Sequence, residues 1–196
     1  YVALGLPTPG EPPPAGLAQL GAFERLRAVA ALLDRGTAAL LAYAKAMVHY
    51  HHGHRFCAAC GSPTASEEGG HLRVCTNACC GRQDFPRTDP AIIVLVSSGE
   101  RCLLGRQPSW PDNLYSIIAG FVEPGESLEA AVAREVREET GVRVGRIRYH
   151  SSQPWPFPRS LMIGFTAVAE TTTIRLRDGE LEKARWLSRE TIVREL

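Results

Sequence analysis

Little in this chain points toward a membrane, a secretory route or a strongly charged partner. Its net charge is only +1, so no one-signed field argues for nucleic acid or a lipid surface. No apolar run approaches the roughly 20 residues needed to cross a bilayer. No signal-peptide pattern is visible, although the chain opens on Tyr1 rather than Met. No internal repeat stands out. Six cysteines are present, but five are clustered between Cys57 and Cys80, which argues against a secreted disulfide framework and for metal binding in a reducing cytoplasm. The 196 residues suffice for one sizeable core with a small satellite module.

Val2–Ala15 is rich in Pro and Gly and reads as a linker or irregular edge. The Ala- and Leu-rich stretch Leu17–Tyr50 predicts two helices, broken at Asp34-Arg35-Gly36-Thr37, the second with Leu40, Leu41, Ala44 and Val48 on its apolar face. Beyond Pro90, strand-like runs alternate with helix. Ala91–Ser97 and Arg101–Leu104 read as a hairpin turning near Ser98-Gly99, and Tyr115–Ala119 as a strand. Arg146–Tyr149, Met162–Ala169 and Arg185–Leu187 complete the set. Strands packed with helices imply an α/β sandwich with a mixed sheet. The expected division is a helical remnant over 1–53, a metal module over 54–87 and the sandwich over 88–196.

The densest chemistry lies between Gly120 and Val142. Ser127 is an expected N-cap, Glu129 sits where the helix dipole favours an anion, Leu128–Thr140 is free of Gly and Pro, and Gly141 is the expected stop. At about 100° per residue, Leu128, Val132, Glu135 and Glu139 share one stripe, with Glu138 flanking it. Carboxylates on the face expected to be buried repel each other without a cation, and hard oxygen ligands suit Mg²⁺ or Mn²⁺. A solvated acidic face, the common fate of a Glu run, would avoid the apolar stripe. The same residues fill every position of G-x5-E-x7-R-E-U-x-E-E-x-G-U, with U apolar: Gly120, Glu126, Arg134-Glu135-Val136, Glu138-Glu139 and Gly141-Val142. This pattern resembles the Nudix box, and the resemblance implies a Nudix α/β/α sandwich and a metal-dependent hydrolase. It also implies that Glu126 and Arg134 brace the loop to the helix.

Cys57-x2-Cys60, followed by Cys75, Cys79 and Cys80, offers two cysteine clusters about one hairpin apart, the arrangement of a structural tetrahedral Zn²⁺ site. Five thiols compete for four places. Gly61 after Cys60 and Gly81 after Cys80 would ease the turns that aim amides at thiolates, which favours Cys57, Cys60, Cys75 and Cys80 with Cys79 spare. The segment is too polar to bury all five as plain core residues, and it lacks a Lys/Arg cluster, so it reads as scaffold. Cys102 reads as a core residue, and His49, His51, His52 and His54 as helix-end or surface residues.

Ser152-Gln153-Pro154-Trp155-Pro156-Phe157-Pro158-Arg159-Ser160 is stiffened by three alternating prolines. It either presents Trp155 and Phe157 to a base or pins a loop on the core; composition weighs the two equally. Together with the cysteine module, the Phe85-Pro86-Arg87-Thr88-Asp89-Pro90 entry and the box, this tag is similar to the NADH pyrophosphatase branch of the Nudix superfamily. The match runs from about His54 to Trp186.

That resemblance implies hydrolysis of the pyrophosphate of NAD(H) to nicotinamide mononucleotide and AMP. It implies Glu135, Glu139 and Glu180 as ligands of Mg²⁺ or Mn²⁺, with Glu138 a further metal carboxylate, and Glu138 or Glu139 as proton acceptor. Phe121 would stack on substrate, Gln153, Trp155 and Ser160 would contact it, and Phe85 would be lent by the partner in a homodimer. A larger N-terminal domain precedes the ribbon in that family, so 1–53 reads as a remnant, and the chain ends short of a typical C-terminal helix. Removal of NAD caps from RNA 5′ ends is the alternative reaction, and a broader ADP-sugar or dinucleotide pyrophosphatase a third. A non-catalytic binding module would have no need of the clustered carboxylates.

Overall fold

The computed structural model describes residues 15–19, 21–176 and 179–195. The linker expected over Val2–Ala15 therefore lies outside the described residues except for Ala15, which opens helix α1 (Ala15–Ala18). The chain forms two compact units: Tyr1–Thr88 with Trp155–Arg159, and Asp89–Pro154 with Ser160–Leu196.

In the first unit, α3 (Arg35–Gly53) starts where expected: the Asp34 side chain accepts from the Thr37 amide at 3.0 Å. The helix expected before it is broken into α1, α2 (Leu26–Val29) and a 3₁₀ turn (Ala30–Leu32). Leu32 is 83% exposed, and a short helix with no buried face is marginal in water. On α3, Leu40, Ala44 and Val48 are half-buried, but Leu41 is exposed. The anchor is Tyr50, buried and donating its hydroxyl to the Asp84 carbonyl at 2.5 Å. Beyond it, β1 (Thr64–Glu67), β2 (Leu72–Cys75) and β3 (Gln83–Asp84) form a small antiparallel sheet in that order. Arg73 ties α3 to this sheet, donating to Thr64 Oγ1 at 2.6 Å and meeting His51 Nδ1 at 3.0 Å.

The second unit holds a six-stranded mixed sheet. Its strands are β4 (Asp89–Ser98), β5 (Arg101–Arg106), β6 (Ile118–Phe121), β7 (Val144–Trp155), β8 (Ser160–Ala169) and β9 (Lys183–Ser188). The order is β7-β8-β4-β5-β9, with β6 pairing β4. β4 and β8 run parallel, while β5 and β6 are antiparallel to β4. Ser97 pairs Cys102 and Gly99 takes φ +57° in the turn, as the hairpin expectation requires. Ile92, Val94 and Val96 on β4 and Ile163, Phe165 and Ala167 on β8 alternate into one core.

Helix α4 (Leu128–Thr140) covers that core with Ala131, Val132 and Val136. Its ends are as read from the sequence: Ser127 Oγ accepts from the Ala130 amide at 3.2 Å, and Gly141 takes the left-handed φ of +73°. The buried face is rotated from the expected stripe toward Val136 and Thr140, which leaves Leu128 and Glu135 at its edge. Two features were not foreseen. β7 extends to Trp155 because an edge strand can be polar on both faces and so shows no alternation. A final helix, α5 (Arg189–Glu195), starts where the Thr191 amide donates to Ser188 Oγ at 3.3 Å.

Candidate functional site

The β6–α4 connection brings the box residues together. Gly120 lies at the end of β6, and the Glu135 carboxylate sits over its Cα. A Cβ there would overlap that carboxylate outright, so only glycine leaves room for it. Arg134 is the hub. It grips Glu126 with two bonds, Nε to Oε1 at 2.8 Å and Nη2 to Oε2 at 2.9 Å, and reaches the Phe121 carbonyl at 2.9 Å. Its Nη1 also meets Glu135 at 2.9 Å and Glu138 at 3.1 Å. Glu126 accepts in addition from the Glu123 amide at 3.2 Å. The brace expected between loop and helix is present, and the same guanidinium also borders the carboxylates, a role helix phase did not suggest.

Glu126, Arg134, Glu135 and Glu138 line a cleft of about 1010 Å³ that also holds Glu180. Glu180 accepts from Gln107 at 3.2 Å. Burial pushes the Glu135 carboxyl above its ordinary range. Arg134 opposes the shift, and the charges of Glu138 and Glu180 add to it. A partly buried carboxylate facing two others is a poor place for a proton-free anion and a good one for a hard cation. The oxygen-only donor set fits Mg²⁺ or Mn²⁺. Glu139, 3% exposed, lies on the inner side of α4 and is not among the residues lining the cleft.

Of the other expected residues in this unit, Phe121 exposes 59% of its surface, Gln153 is exposed, and Ser160 is buried opposite Asp89. Glu170, Arg143 and Gln107 went unnoticed in the sequence. Arg143 and Glu170 line the cleft, and Gln107 bonds Glu180. No local pattern marks them: Gln107 and Glu170 lie just past the ends of β5 and β8, far from α4 in the chain, and Arg143 lies in the short link between α4 and β7.

In the first unit, the thiols of Cys57, Cys60, Cys75 and Cys80 all lie within 4.8 Å of one another. Cys57 and Cys80 are 3.8 Å apart and Cys60 and Cys75 3.4 Å. Four sulfurs about 2.3 Å from a tetrahedral zinc would sit about 3.8 Å apart, so the cluster fits Zn²⁺. Gly61 and Gly81 take left-handed φ values of +73° and +56°, as two metal-binding turns need. Ser62 hydrogen bonds bring the Cys60 thiol down to about 6. Cys75 is pushed up to about 12: the Asn77 amide lowers it, but burial and the neighbouring thiols outweigh that. Cys79 is exposed and outside the cluster. Phe85 is 51% exposed, and Trp155 stands edge-on to Phe157 with centroids 5.3 Å apart.

The NUDIX domain family matches residues 86–196. The chain belongs to the Nudix family. Residues 52–82 of this Nudix chain match the NADH pyrophosphatase zinc ribbon domain. The NAD-capped RNA hydrolase NUDT12 of Macaca fascicularis is 46% identical over 169 residues, covering 82% of this chain and 37% of that protein. The NAD-capped RNA hydrolase NudC of Mycobacterium tuberculosis is 44% identical, covering 85% of this chain and 53% of its own length. The chain thus spans about half or less of these relatives. A Nudix hydrolase from Nitrosomonas europaea shares the fold, with a TM-score of 0.58 at 23% identity over 70% of this chain and 80% of that one.

Proposed function

We propose that this Nudix chain hydrolyses the pyrophosphate bond of an NAD moiety, releasing nicotinamide mononucleotide, reduced or oxidised, and AMP. The observation that carries the reading is the convergence of Glu135, Glu138 and Glu180 on one cleft, with Gly120 stripped of a Cβ to admit a carboxylate. Glu135, Glu138 and Glu180 would hold Mg²⁺ or Mn²⁺ in the cleft, and the family resemblance adds the buried Glu139 to the ligands. Such an ion supplies charge neutralisation at the phosphates and lowers the pKa of attacking water.

The rest falls to the chain's own groups. Arg134 keeps the Glu126 loop and the Glu135 carboxylate in place. Glu138, whose side chain is 55% exposed, can take the proton from water. Phe121 offers an open ring for stacking, and Gln153 and Ser160 offer polar contacts. Trp155 and Phe85 enter on the family resemblance, Phe85 as the residue a second protomer contributes in a homodimer. A thiolate-rich zinc site with an exposed spare Cys79 suits a reducing compartment such as the cytoplasm.

A second reading, removal of the NAD cap from RNA, rests on the names of the relatives and on charge. The first unit holds nine Lys/Arg against six Asp/Glu, a net of +3, and the second thirteen against fifteen, a net of −2.

The test is product analysis with NADH and with NAD-capped RNA in Mg²⁺ or Mn²⁺, beside Glu139→Gln. Nicotinamide mononucleotide with AMP, or with 5′-monophosphate RNA, should form and should fall by several orders of magnitude in the variant. Normal turnover by a folded Glu139→Gln protein would remove Glu139 from the mechanism. No turnover of either substrate by zinc-loaded wild type would sink the proposal.

A further inference from the structure

The carboxylates that meet at the cleft are not held alike. Glu135 and Glu138 stand on α4, where the helix fixes their backbone and Arg134 borders both side chains. Glu180 comes from the loop between β8 and β9 and is exposed. A loop carboxylate has to be ordered by its neighbours before it can serve a shared site.

The segment that follows it is tied down closely. Leu181 is buried in the core over Gly105, where an added Cβ would lie 2.8 Å from Leu181 Cδ1. The Glu182 amide donates to the Arg106 carbonyl at 2.9 Å, and the Glu182 carboxylate pairs with the Arg106 guanidinium. That guanidinium is buried and also donates to the carbonyls of Trp110 at 2.6 Å and Pro111 at 3.3 Å. It thereby joins the turn after β5 to the segment entering β9. Gln107 opens that turn, and its carbonyl takes the Trp110 amide at 3.1 Å. From this fixed backbone its side-chain amide donates to Glu180 Oε1 at 3.2 Å.

Arg106 and the backbone bonds suffice to close the turn. They do not call for an amide aimed at a cleft carboxylate. The type of donor matters too. A lysine or arginine at 107 could hold Glu180, but its charge would pair with the carboxylate and compete with a cation. A neutral amide orients one oxygen and leaves the negative charge for a metal, as hydrogen bonds to ligating carboxylates do. Gln107 does not itself line the cleft, so any effect it has on the site runs through Glu180.

We propose that Gln107 is a positioning residue that fixes the Glu180 carboxylate for the divalent cation. The metal role of Glu180 rests on the reading proposed above; the identity of the pyrophosphate substrate does not enter.

The test is Mn²⁺ affinity of the zinc-loaded protein, read from the paramagnetic resonance signal of free Mn²⁺. Wild type is compared with Gln107→Leu, Glu180→Gln and the double variant. Outer-shell partners of metal ligands are worth about 10–100-fold in affinity. Gln107→Leu should weaken Mn²⁺ binding roughly tenfold, at the lower end of that range, and Glu180→Gln should weaken it further. In the Glu180→Gln background, Gln107→Leu should add less than about twofold, because its target is gone. Turnover of NADH by Gln107→Leu should fall at limiting Mn²⁺ and recover at saturating Mn²⁺, with melting temperature unchanged.

Wild-type Mn²⁺ affinity in Gln107→Leu, or losses that multiply in the double variant, would overturn the proposal and leave Gln107 a loop contact. Wild-type affinity in Glu180→Gln would overturn the ligand role and the positioning role together. The expected pattern of affinities in a protein that does not cleave NADH would support the positioning role and sink the substrate reading instead.

Discussion

The two compact units are held together by different physics. The catalytic unit has a continuous apolar core, including Ile92, Val94, Leu103, Val132, Val136 and Phe165, built from alternating strands and one helix face. Among the described residues of the ribbon unit, the buried apolar ones are Tyr50, Leu72, Pro156 and two of the cysteines, Cys57 and Cys75. The first can be ordered by burial alone, whereas the second has too little to bury and is ordered by its thiolates. A structural zinc can contribute on the order of 10 kcal/mol to a small module, more than so few apolar side chains could.

The sharpest way to break that comparison is to remove the metal. Chelation, or Cys80→Ser, should abolish the one-per-chain zinc and open the ribbon amides to hydrogen exchange while β4 and β8 stay protected. Cys79→Ser should keep its zinc. Equal zinc loss in the two serine variants would show that the thiol set is not the one seen here.

The converse damage is Leu103→Ala. It should lower the unfolding free energy of the catalytic unit by about 2–5 kcal/mol, as cavity-forming changes do, while zinc content stays unchanged. A variant that loses zinc in step with stability would mean the units do not fold independently.

Gly120→Ala separates site from core. Its added Cβ would drive the Glu135 carboxylate from its place. Misplacing a catalytic group by about 1 Å can cost roughly a hundredfold in rate. A kcat loss of that order is expected on NADH, with little change in melting temperature.

The smallest effect is electrostatic. Hydrogen bonds from Arg134 hold the Glu126 carboxyl below its ordinary value. The folded protein therefore binds this proton less readily than the unfolded chain. The stabilisation is present above the ordinary carboxylate pKa and is lost as pH falls through the folded value. Glu126→Gln should lower stability at neutral pH and flatten its acid-side decline, measured as urea midpoints against pH. An unchanged slope would leave the Glu126–Arg134 pair without a thermodynamic role.

Much of this was legible from residue spacing. The cap at Ser127, the stop at Gly141, the Glu126–Arg134 brace and the preference for Cys80 over Cys79 follow from rules acting over a few residues. The misreadings share a cause. The early helix failed because Leu32 stays exposed, the α4 stripe was offset because sheet packing chose Val136, and β7 was read short because an edge strand has no buried face to show. Glu180 was placed by family resemblance, since nothing near it in the chain signals a partner across the sheet.

Local chemistry could be read from the order of residues, because backbone geometry sets side-chain direction within a helix turn or a cysteine knuckle. The packed fold settled which distant groups meet. It put Glu180 and Gln107 with the α4 carboxylates, buried Glu139, and set Arg27 and Lys45 beside the rings of the turn at Trp155. Those meetings depend on strand order and on which faces are buried, and these are properties of the whole sheet and its packing that no short window of residues contains.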